Sequence, residues 1–426
     1  MKRDAIPQRH PTEDLGVLRF LTCGSVDDGK STLIGRLLYD TKALLSDTLA
    51  TLEHNAQRRG LSALDLSLLT DGLVAEREQG ITIDVAYRYF ATARRKFIIA
   101  DSPGHVQYTR NMVTAASTAD AAVLLVDARK GILAQTRRHA TIAGLVGVHH
   151  LIVAVNKMDL VEHAQERFAE ITAEFRAWLE RHPSLHVQVD YIPLSALTGA
   201  NVVDRAPELA WYEGPTLIEL LESAPAREAD AEAPLRFPVQ WVCRPSQADF
   251  RGYAGRVESG AVSVGDEIAV FPSGARSRVQ SIAIGTETRE RAVAGESVLI
   301  SLVDEIDISR GDLLADPEHA PQAARAGTEA MVCWLGQQPL DPRREYLLRQ
   351  ATRETRVRVG AVHARLNIET LDWETGEARV EPNDIVRLAL GTQTPIAADR
   401  YEQFRATGSF ILIDPAHNDT VAAGML

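Results

Sequence analysis

The sequence predicts an α/β domain with a doubly wound, mostly parallel sheet, followed by β-rich domains. Two observations support this fold class. Up to about residue 225, apolar strand-like runs alternate with helical patterns, as where Phe168, Ile171, Phe175 and Trp178 share one helix face. Beyond that point the apolar period shifts towards two, and glycine, proline and polar residues break the runs, which is typical of antiparallel strands.

A glycine-containing loop follows the first predicted strand, Val17 to Cys23, and precedes a helix pattern from Thr32 to Tyr39. Glycines let the backbone approach phosphate, and a helix N-terminus adds favourable partial charge. Lys30 can reach the β and γ phosphates of a nucleotide, and Ser31 can offer its hydroxyl to Mg²⁺. The sequence therefore predicts a phosphate-binding loop, and an ordinary turn is the alternative. The predicted loop residues are Gly24, Ser25, Val26, Asp27, Asp28, Gly29, Lys30, Ser31 and Thr32.

A second polar segment follows the short apolar run from Lys96 to Ala100. It consists of Asp101, Ser102, Pro103, Gly104 and His105. Asp101 is expected at the carboxyl end of a strand, where a carboxylate can hold Mg²⁺ through water. Gly104 can present its N–H group to a γ-phosphate.

Two later segments have the chemistry of guanine recognition. Asn156, Lys157, Met158 and Asp159 come directly after the apolar run from Leu151 to Val155. Asp159 can accept hydrogen bonds from the N1–H and N2 amino groups of guanine, which adenine does not present, while Asn156 can bond the base and brace the loop. The other segment is Ser195, Ala196 and Leu197, whose backbone N–H groups can contact the guanine oxygen. Alone, either segment is weak evidence.

Thr82 is the candidate switch residue, within the stretch from Arg77 to Ile83. Its hydroxyl and carbonyl can contact Mg²⁺ and the γ-phosphate in the triphosphate state and release them on hydrolysis. A threonine in a β-prone run is the alternative. The position of Thr82 between the two phosphate segments favours the switch interpretation.

At Gly80 to Thr82 and Asp101 to His105 the chain resembles the translation-factor superfamily of P-loop GTPases. The resemblance implies GTP or GDP with Mg²⁺ as ligands. It also implies that His105 orients the attacking water, with Lys30 and Thr82 beside the reacting phosphate. A satisfied structural histidine is the alternative for His105.

A narrower resemblance is to the large GTPase subunits of bacterial sulfate adenylyltransferases. Translation elongation factors typically have histidines where this chain has Ser25 and Asp28. The stretches that carry the narrower likeness are Arg19 to Cys23, Leu69 to Leu73, Ala75 to Phe90, Tyr108 to Met112, Asp249 to Gly255 and Asp304 to Gly311. The resemblance implies that GTP hydrolysis is coupled to formation of adenosine 5′-phosphosulfate and diphosphate from ATP and sulfate. It further implies that a smaller catalytic subunit carries out that transfer.

Two other functions stay open at this point. One is a translation-factor-type GTPase that delivers RNA to the ribosome, against which the altered first loop argues. The other is a module that binds GTP without hydrolysing it.

Composition sets limits on partners and location. The chain has 426 residues, 45% of them hydrophobic, which supplies core for two or three domains. The formal net charge of −12 argues against nucleic-acid binding. No apolar run approaches the roughly 20 residues that span a bilayer, and Met1 to Asp14 lacks a signal-peptide pattern. Three isolated cysteines, Cys23, Cys243 and Cys333, fit a reducing cytoplasm, and Cys23 is expected to be a buried strand residue.

Domain boundaries follow from composition and spacing. Glu222 to Pro234, rich in alanine, proline and acidic residues, predicts a linker. The predicted division is a tail at 1–14, a GTP-binding domain at 15–224, a linker at 225–235, a β-barrel domain at 236–325 and a second at 326–426. Strand spacing suggests an antiparallel barrel in the first β-rich region, and the superfamily resemblance implies two.

Arginines cluster on one predicted strand of the last domain. They are Arg353, Arg356, Arg358 and Arg365. Arg356 and Arg358 should share a face, because strand side chains repeat every second residue. A charged, solvated sheet edge is one interpretation, and a docking surface for an acidic partner is the other.

Overall fold

The computed structural model describes residues 15–43, 66, 85–105, 109–183, 185–226, 231–244, 250–367, 370–376 and 379–426. These residues fall into two compact units that divide near residue 227. Residues 370 and 371 belong with the first unit.

The first unit is built on a six-stranded sheet with the order β2-β3-β1-β4-β5-β6. Its strands are β1 (Val17–Cys23), β2 (Ala86–Ala91), β3 (Lys96–Asp101), β4 (Ala121–Asp127), β5 (His150–Asn156) and β6 (Gln188–Pro193). Only β2 runs antiparallel to its neighbour, and the remaining pairings are parallel. Both β4 and β5 are buried along their whole length, as expected for a sheet covered on both faces.

The described helices of the first unit are α1 (Lys30–Asp40), α2 (Thr109–Thr118), α3 (Ala134–Leu145), α4 (Gln165–Glu180) and α5 (Leu217–Ser223), with 3₁₀ turns at Met158–Val161 and Pro207–Leu209. Apolar side chains of α1 and the sheet share one core, in which Leu33, Leu37, Phe20 and Phe97 are buried. Ile171, Phe175 and Trp178 of α4 are also buried. The predicted amphipathic face of α4 is confirmed.

The linker prediction is wrong for Glu222 and Ser223. Both residues lie in α5, which begins at a capping box formed by Thr216 and Glu219. The Glu222 carboxylate accepts hydrogen bonds from Thr92 at 2.6 Å and from Arg94 at 3.1 Å. The acidic composition suggested a linker, although the stretch begins with the end of a helix whose Glu222 side chain is bonded to Thr92 and Arg94.

The second unit begins with a closed antiparallel barrel. Its strands are β7 (Arg236–Cys243), β8 (Gly252–Arg256), β9 (Ala261–Ser263), β10 (Glu267–Phe271), β11 (Ala275–Ile284), β12 (Glu287–Arg289), β13 (Arg291–Val293), β14 (Ser297–Leu302) and β15 (Leu313–Ala315). The order β10-β15-β7-β8-β14-β11 closes because β11 also pairs with β10. Each of these six strands therefore has a hydrogen-bonded neighbour on both sides.

A second antiparallel barrel follows. Its elements are β16 (Ala323–Ala324), β17 (Thr328–Trp334), β18 (Glu345–Gln350), β19 (Arg353–Leu366), β20 (Trp373–Thr375), β21 (Ile385–Thr392), β22 (Ile396–Ala397), a short helix α6 (Arg405–Gly408), β23 (Ser409–Asp414) and β24 (Asp419–Met425). The order β18-β23-β24-β17-β21-β19 closes through the pairing of β18 with β19. The predicted fold class, an α/β domain followed by two antiparallel barrels, is confirmed.

A buried ion pair joins the two barrels. The guanidinium of Arg236, on β7, donates to the Asp399 carboxylate at 2.8 and 2.9 Å, and both side chains are almost fully buried. Thr407 also donates to Asp399, and Arg236 lies over the Phe404 ring, 4.2 Å from its centroid. Removing either member of this pair would leave the other charge buried and unpaired, which is strongly destabilising.

The sheet-edge interpretation of the arginine cluster is wrong. Strand β19 pairs with β18, β20 and β21, so it lies inside the sheet. Arg356 and Arg358 share the outer face, as predicted, and both approach Glu345, at 3.0 and 3.6 Å. The charges of this face therefore stand in exposed ion pairs on a closed barrel.

Cys23 is buried on β1, and burial raises its pKa to about 12, which makes it a poor nucleophile. No helix among the described residues is both long and apolar enough to cross a membrane. The same residues contain no group of three or more His, Cys, Asp or Glu side chains arranged to hold a metal ion.

Candidate nucleotide-binding site

The predicted site residues gather at the carboxyl edge of the first sheet. Strand β1 lies between β3 and β4, where the strand order reverses direction, and such a switch point forms a crevice for ligands. The loop after β1 carries Gly24 to Gly29, β3 ends at Asp101, and β5 ends at Asn156. Parallel strands bring these ends to one edge.

Two glycines shape the phosphate loop. Gly24 and Gly29 have φ angles of 149° and 94°, which side chains rarely tolerate. A Cβ atom on Gly29 would lie 2.5 Å from Asn156 Nδ2. Gly29 is the N-terminal cap of α1, so the amide groups of the first helical turn face the loop. A helix N-terminus that faces a glycine loop in this way favours anions.

Lys30 is buried under this loop. Its Nζ donates to the carbonyl oxygens of Gly24 and Ser25, at 3.1 and 2.8 Å. A Cβ atom on Gly104 would lie 2.5 Å from Lys30 Nζ and 2.8 Å from the Gly24 oxygen, so the two phosphate segments touch at this glycine. Burial lowers the pKa of Lys30, and the charges of Asp101 and Asp28 partly offset that effect.

The Asp28 side chain forms a hydrogen bond within the phosphate loop. One of its carboxylate oxygens accepts the N–H of Ser25 at 2.6 Å. Burial raises the pKa of Asp28 to about 6, against the opposing effects of that hydrogen bond and of Lys30. The second oxygen of Asp28 and the hydroxyl of Ser25 are buried without a partner among the described residues. Orphaned polar atoms at a helix N-terminus fit a site completed by a polar ligand.

Asp101 and Ser31 supply oxygen atoms at the same edge. Asp101 is buried, and its Oδ1 accepts from Thr22 Oγ1 at 3.3 Å. Ser102, next to it, donates its hydroxyl to the Thr22 carbonyl at 2.8 Å, which fixes the end of β3 against β1. Hard oxygen donors of this kind fit Mg²⁺ bound through one or two protein groups, water and phosphate.

Asn156 joins the guanine segment to the phosphate loop. Its Nδ2 donates to the Asp28 carbonyl at 2.8 Å, and its Oδ1 accepts the N–H of Ala196 at 2.9 Å. Lys157 donates to the Asp27 carbonyl and, at 2.9 Å, to Asp127. One buried asparagine therefore holds three loops together.

Asp159 offers an unsatisfied carboxylate. Its Oδ1 is buried and has no hydrogen-bond partner among the described residues. In the segment from Ser195 to Leu197, the Ser195 N–H donates to the Ala200 carbonyl and the Ala196 N–H donates to Asn156 Oδ1. Leu197 N–H has no acceptor within the described part of the chain. One acceptor and one donor thus stay available for a base.

The other predicted residues differ in placement. Val26 is half-buried in the loop, Pro103 is buried beside Gly104, and Ser31 and Thr32 are half-buried in the first turn of α1. His105 is exposed at the end of its segment. Thr82 lies outside the described residues.

Sequence reasoning missed two residues of the site. His139, on α3, is buried, and its Nδ1 accepts the N–H of Gly24 at 3.0 Å. Burial lowers the pKa of His139 to about 3, with further lowering by Lys30 and Arg138. No local pattern marks this histidine, because its partner lies 115 positions earlier in the chain.

Asp127 is the other missed residue. Burial favours a raised pKa for this carboxyl, but hydrogen bonds from Arg129 and Lys157 outweigh burial and hold the pKa well below its usual range. A signal for Asp127 was available, since it ends the apolar run from Ala121 to Val126, as Asp101 ends its own.

Together, the sheet order, the phosphate loop and the paired guanine segments define a P-loop GTPase of the translation-factor type. Residues 16–227 match the family model described as elongation factor Tu GTP binding domain, and residues 327–426 match the GTP-eEF1A C-terminal domain-like model. The chain is 50% identical over 421 residues to sulfate adenylyltransferase subunit 1 of Aeromonas hydrophila subsp. hydrophila, covering 98% of this chain and 87% of the relative. The Aeromonas salmonicida protein of the same name is 50% identical over 419 residues, covering 98% and 88%. The chain belongs to the sulfate adenylyltransferase subunit 1 family, and it is an enzyme subunit with a GTPase domain.

Solved structures of sup35 also align with the chain. The structure complexed with GDP is 24% identical and covers 100% of this chain and 96% of sup35, with a TM-score of 0.43. The structure complexed with GMPPNP is 25% identical and covers 96% and 93%, with a TM-score of 0.42.

Proposed function

We propose that this chain hydrolyses GTP as the regulatory subunit of a heteromeric sulfate adenylyltransferase. In that reaction a sulfate oxygen attacks the α-phosphorus of ATP, which forms adenosine 5′-phosphosulfate and releases diphosphate. We assign the adenylyl transfer to a smaller catalytic subunit. The observation that carries the proposal is the joined phosphate and guanine loops in a chain 50% identical to sulfate adenylyltransferase subunit 1 proteins.

Guanine choice rests on Asp159 and Leu197. The buried Oδ1 of Asp159 can accept from N1–H or the N2 amino group of guanine, and the Leu197 N–H can donate to the guanine oxygen. Adenine offers an acceptor at N1, a C–H group at C2 and an amino donor at C6, so it satisfies neither group. A site whose buried polar atoms need particular partners rejects the ligand that lacks them.

The base assignment is tested by competition between nucleotides. Wild-type protein should bind GTP far more tightly than ATP. Asp159→Asn should shift preference towards xanthine nucleotides, because xanthine carries an oxygen where guanine carries the N2 amino group. Equal displacement of bound GTP by ATP in the wild type would remove the assignment.

Phosphate binding is assigned to Lys30 and the amide groups at the start of α1. Ser31 and Asp101, with Thr82, would hold Mg²⁺, which neutralises phosphate charge when bound. His105 would position the attacking water. Thr82 and Gly104 would distinguish the triphosphate from the diphosphate state.

Coupling explains why a GTPase would accompany this transfer. A mixed anhydride of phosphate and sulfate is a higher-energy linkage than the phosphoanhydride broken in ATP, so its formation runs uphill without a second reaction. GTP hydrolysis can drive it only if the GTP-bound and GDP-bound forms of this chain bind the catalytic subunit differently.

The coupling test mixes both purified subunits with ATP and sulfate. Adenosine 5′-phosphosulfate should accumulate with GTP and fall sharply with GDP or a non-hydrolysable analogue. The isolated chain should form none, and its GTP turnover should rise when the catalytic subunit and its substrates are added. Product formation indifferent to all three nucleotides, with no stimulation of GTP turnover, would contradict the coupling. Stimulation by ribosomes instead would favour a translation-factor role.

We further propose a cytoplasmic protein that binds neither nucleic acid nor membrane, in line with its charge of −12. The domain boundaries at 15–224, 236–325 and 326–426 are part of the same proposal.

A further inference from the structure

The first helix is tied to the guanine loop by a single arginine. Arg36 lies on α1, six residues after Lys30, and its side chain is only 17% exposed. Its Nη2 donates to the Leu197 carbonyl at 2.6 Å, and its Nε donates to the Ala196 carbonyl at 3.3 Å. One guanidinium therefore spans two successive carbonyl groups, which its planar fork of donors suits.

The neighbouring contacts fix Arg36 itself. Asp40, one turn later on α1, pairs with Arg36 Nη1 at 3.4 Å. Gly199 has a φ of +89°, and a Cβ atom there would lie 3.4 Å from Arg36 Cδ. The glycine lets the loop pass close over the arginine.

The contact to Ala196 determines where a neighbouring donor points. In a planar trans peptide the C=O and N–H groups lie on opposite sides. Arg36 holds the Ala196 C=O towards α1, so the N–H of Leu197, in the same peptide, points away from α1. That N–H is the donor without an acceptor among the described residues, while the N–H of Ala196 is bonded to Asn156.

We infer that Arg36 is a positioning residue for guanine selectivity. It fixes the Ala196–Leu197 peptide so that the Leu197 N–H is aimed at the 6-oxo group of the base. This inference rests on the proposed guanine-nucleotide function.

The test is a set of dissociation constants for the full chain with GTP, ATP and the triphosphate of 2-aminopurine riboside, which lacks the 6-oxo group. Arg36→Ala should weaken GTP binding roughly tenfold to a hundredfold, the range expected for lost hydrogen bonds from a charged group. Affinities for ATP and the 2-aminopurine nucleotide should change less than about twofold, because neither can accept from Leu197 N–H. A merely structural role would not give this selectivity.

Two further variants complete the design. Arg181→Ala serves as the matched control, because this exposed arginine of the same domain donates to the Ala177 carbonyl of its own helix, and the variant should retain wild-type GTP preference. Arg36→Lys keeps the charge and the stem but loses the fork. It should also lose GTP affinity selectively, and it covers the case in which the alanine variant does not fold.

The outcomes distinguish a failure of the proposed function from a failure of the role assigned to Arg36. A wild type that binds ATP as well as GTP overturns the proposed function itself. A wild type that prefers GTP, with arginine variants that lose affinity equally for all three nucleotides or lose none, overturns only the role of Arg36.

Discussion

Protonation of His139 should destabilise the nucleotide-binding domain as the pH falls. His139 is buried on α3 and accepts the N–H of Gly24, so only the neutral imidazole fits this site. Protonation would remove the acceptor and place a positive charge beside Lys30. Both effects disfavour the folded state, and both act on the first residue of the phosphate loop.

The size of the effect follows from linkage. The pKa of His139 is about 3 in the fold, against an ordinary value of 6.5. Because the folded pKa is the lower one, the unfolded chain takes up this proton first as the pH falls. The stabilisation is therefore complete above the ordinary pKa and is lost on acidification towards the folded pKa. Lowering the pH from roughly 7.5 to 5 should remove about 2 kcal/mol from the free energy of unfolding.

Asp28 works in the opposite direction. Its pKa is raised from 3.8 to about 6, so the folded state takes up this proton before the unfolded chain does. Through Asp28, the same pH change should raise the free energy of unfolding by roughly 1.4 kcal/mol. The wild type should therefore lose only the difference, below about 1 kcal/mol, and a variant is needed to expose the His139 contribution.

The variant is His139→Gln, which is neutral at every pH and offers an amide oxygen to Gly24. Urea unfolding, read by hydrogen exchange in peptides from β1 and β4, reports this domain separately from the barrels. The stability difference between wild type and variant should shrink by about 2 kcal/mol between pH 7.5 and 5. Parallel pH dependence of the two proteins would refute the buried neutral histidine.

Three more outcomes are expected. Gly104→Ala should weaken GTP binding, because its methyl group would meet the phosphate loop, whereas Gly391→Ala, with its nearest neighbouring atom 3.9 Å away, should bind GTP normally. His105→Ala should keep GTP affinity in equilibrium binding and lose most hydrolysis in a phosphate-release assay, since a group that acts in the transition state contributes little to ground-state binding. Arg236→Met should lower the unfolding free energy of the barrels by about 3 to 5 kcal/mol by leaving Asp399 buried and unpaired, and a loss below about 1 kcal/mol in urea titration would contradict that account.

The fold was predictable where the chain carries strong local patterns. The strand before the phosphate loop and the α1 helix were both predicted within a few residues. The edge strand β2 was not, because only Phe90 is buried on it and its apolar pattern is weak. Short strands such as β9 and β13 form only by pairing with each other, which no local window reveals.

The site was predictable to the extent that its residues are contiguous. The loop residues from Gly24 to Ser31 are adjacent in sequence, so their pattern is readable. His139 and Arg36 act through partners far along the chain, and nothing in their neighbourhood indicates those partners. The ion pairs of Arg356 and Arg358 likewise depend on the pairing of β18 with β19.

The geometry also limits where nucleotide state can be sensed. GTP and GDP carry the same base, so the contacts proposed for Asp159 and Asn156 would be the same in both complexes. They would contribute no differential affinity, which is the only quantity that can shift a conformational equilibrium. The two nucleotides differ at the γ-phosphate, which the proposed function places at Gly104 and His105. Asp159→Asn should therefore weaken GTP and GDP by the same factor, leaving their ratio of dissociation constants unchanged. A change of that ratio beyond about threefold, roughly 0.7 kcal/mol, would mean that the bond from Asn156 to the Asp28 carbonyl transmits base occupancy to the phosphate loop.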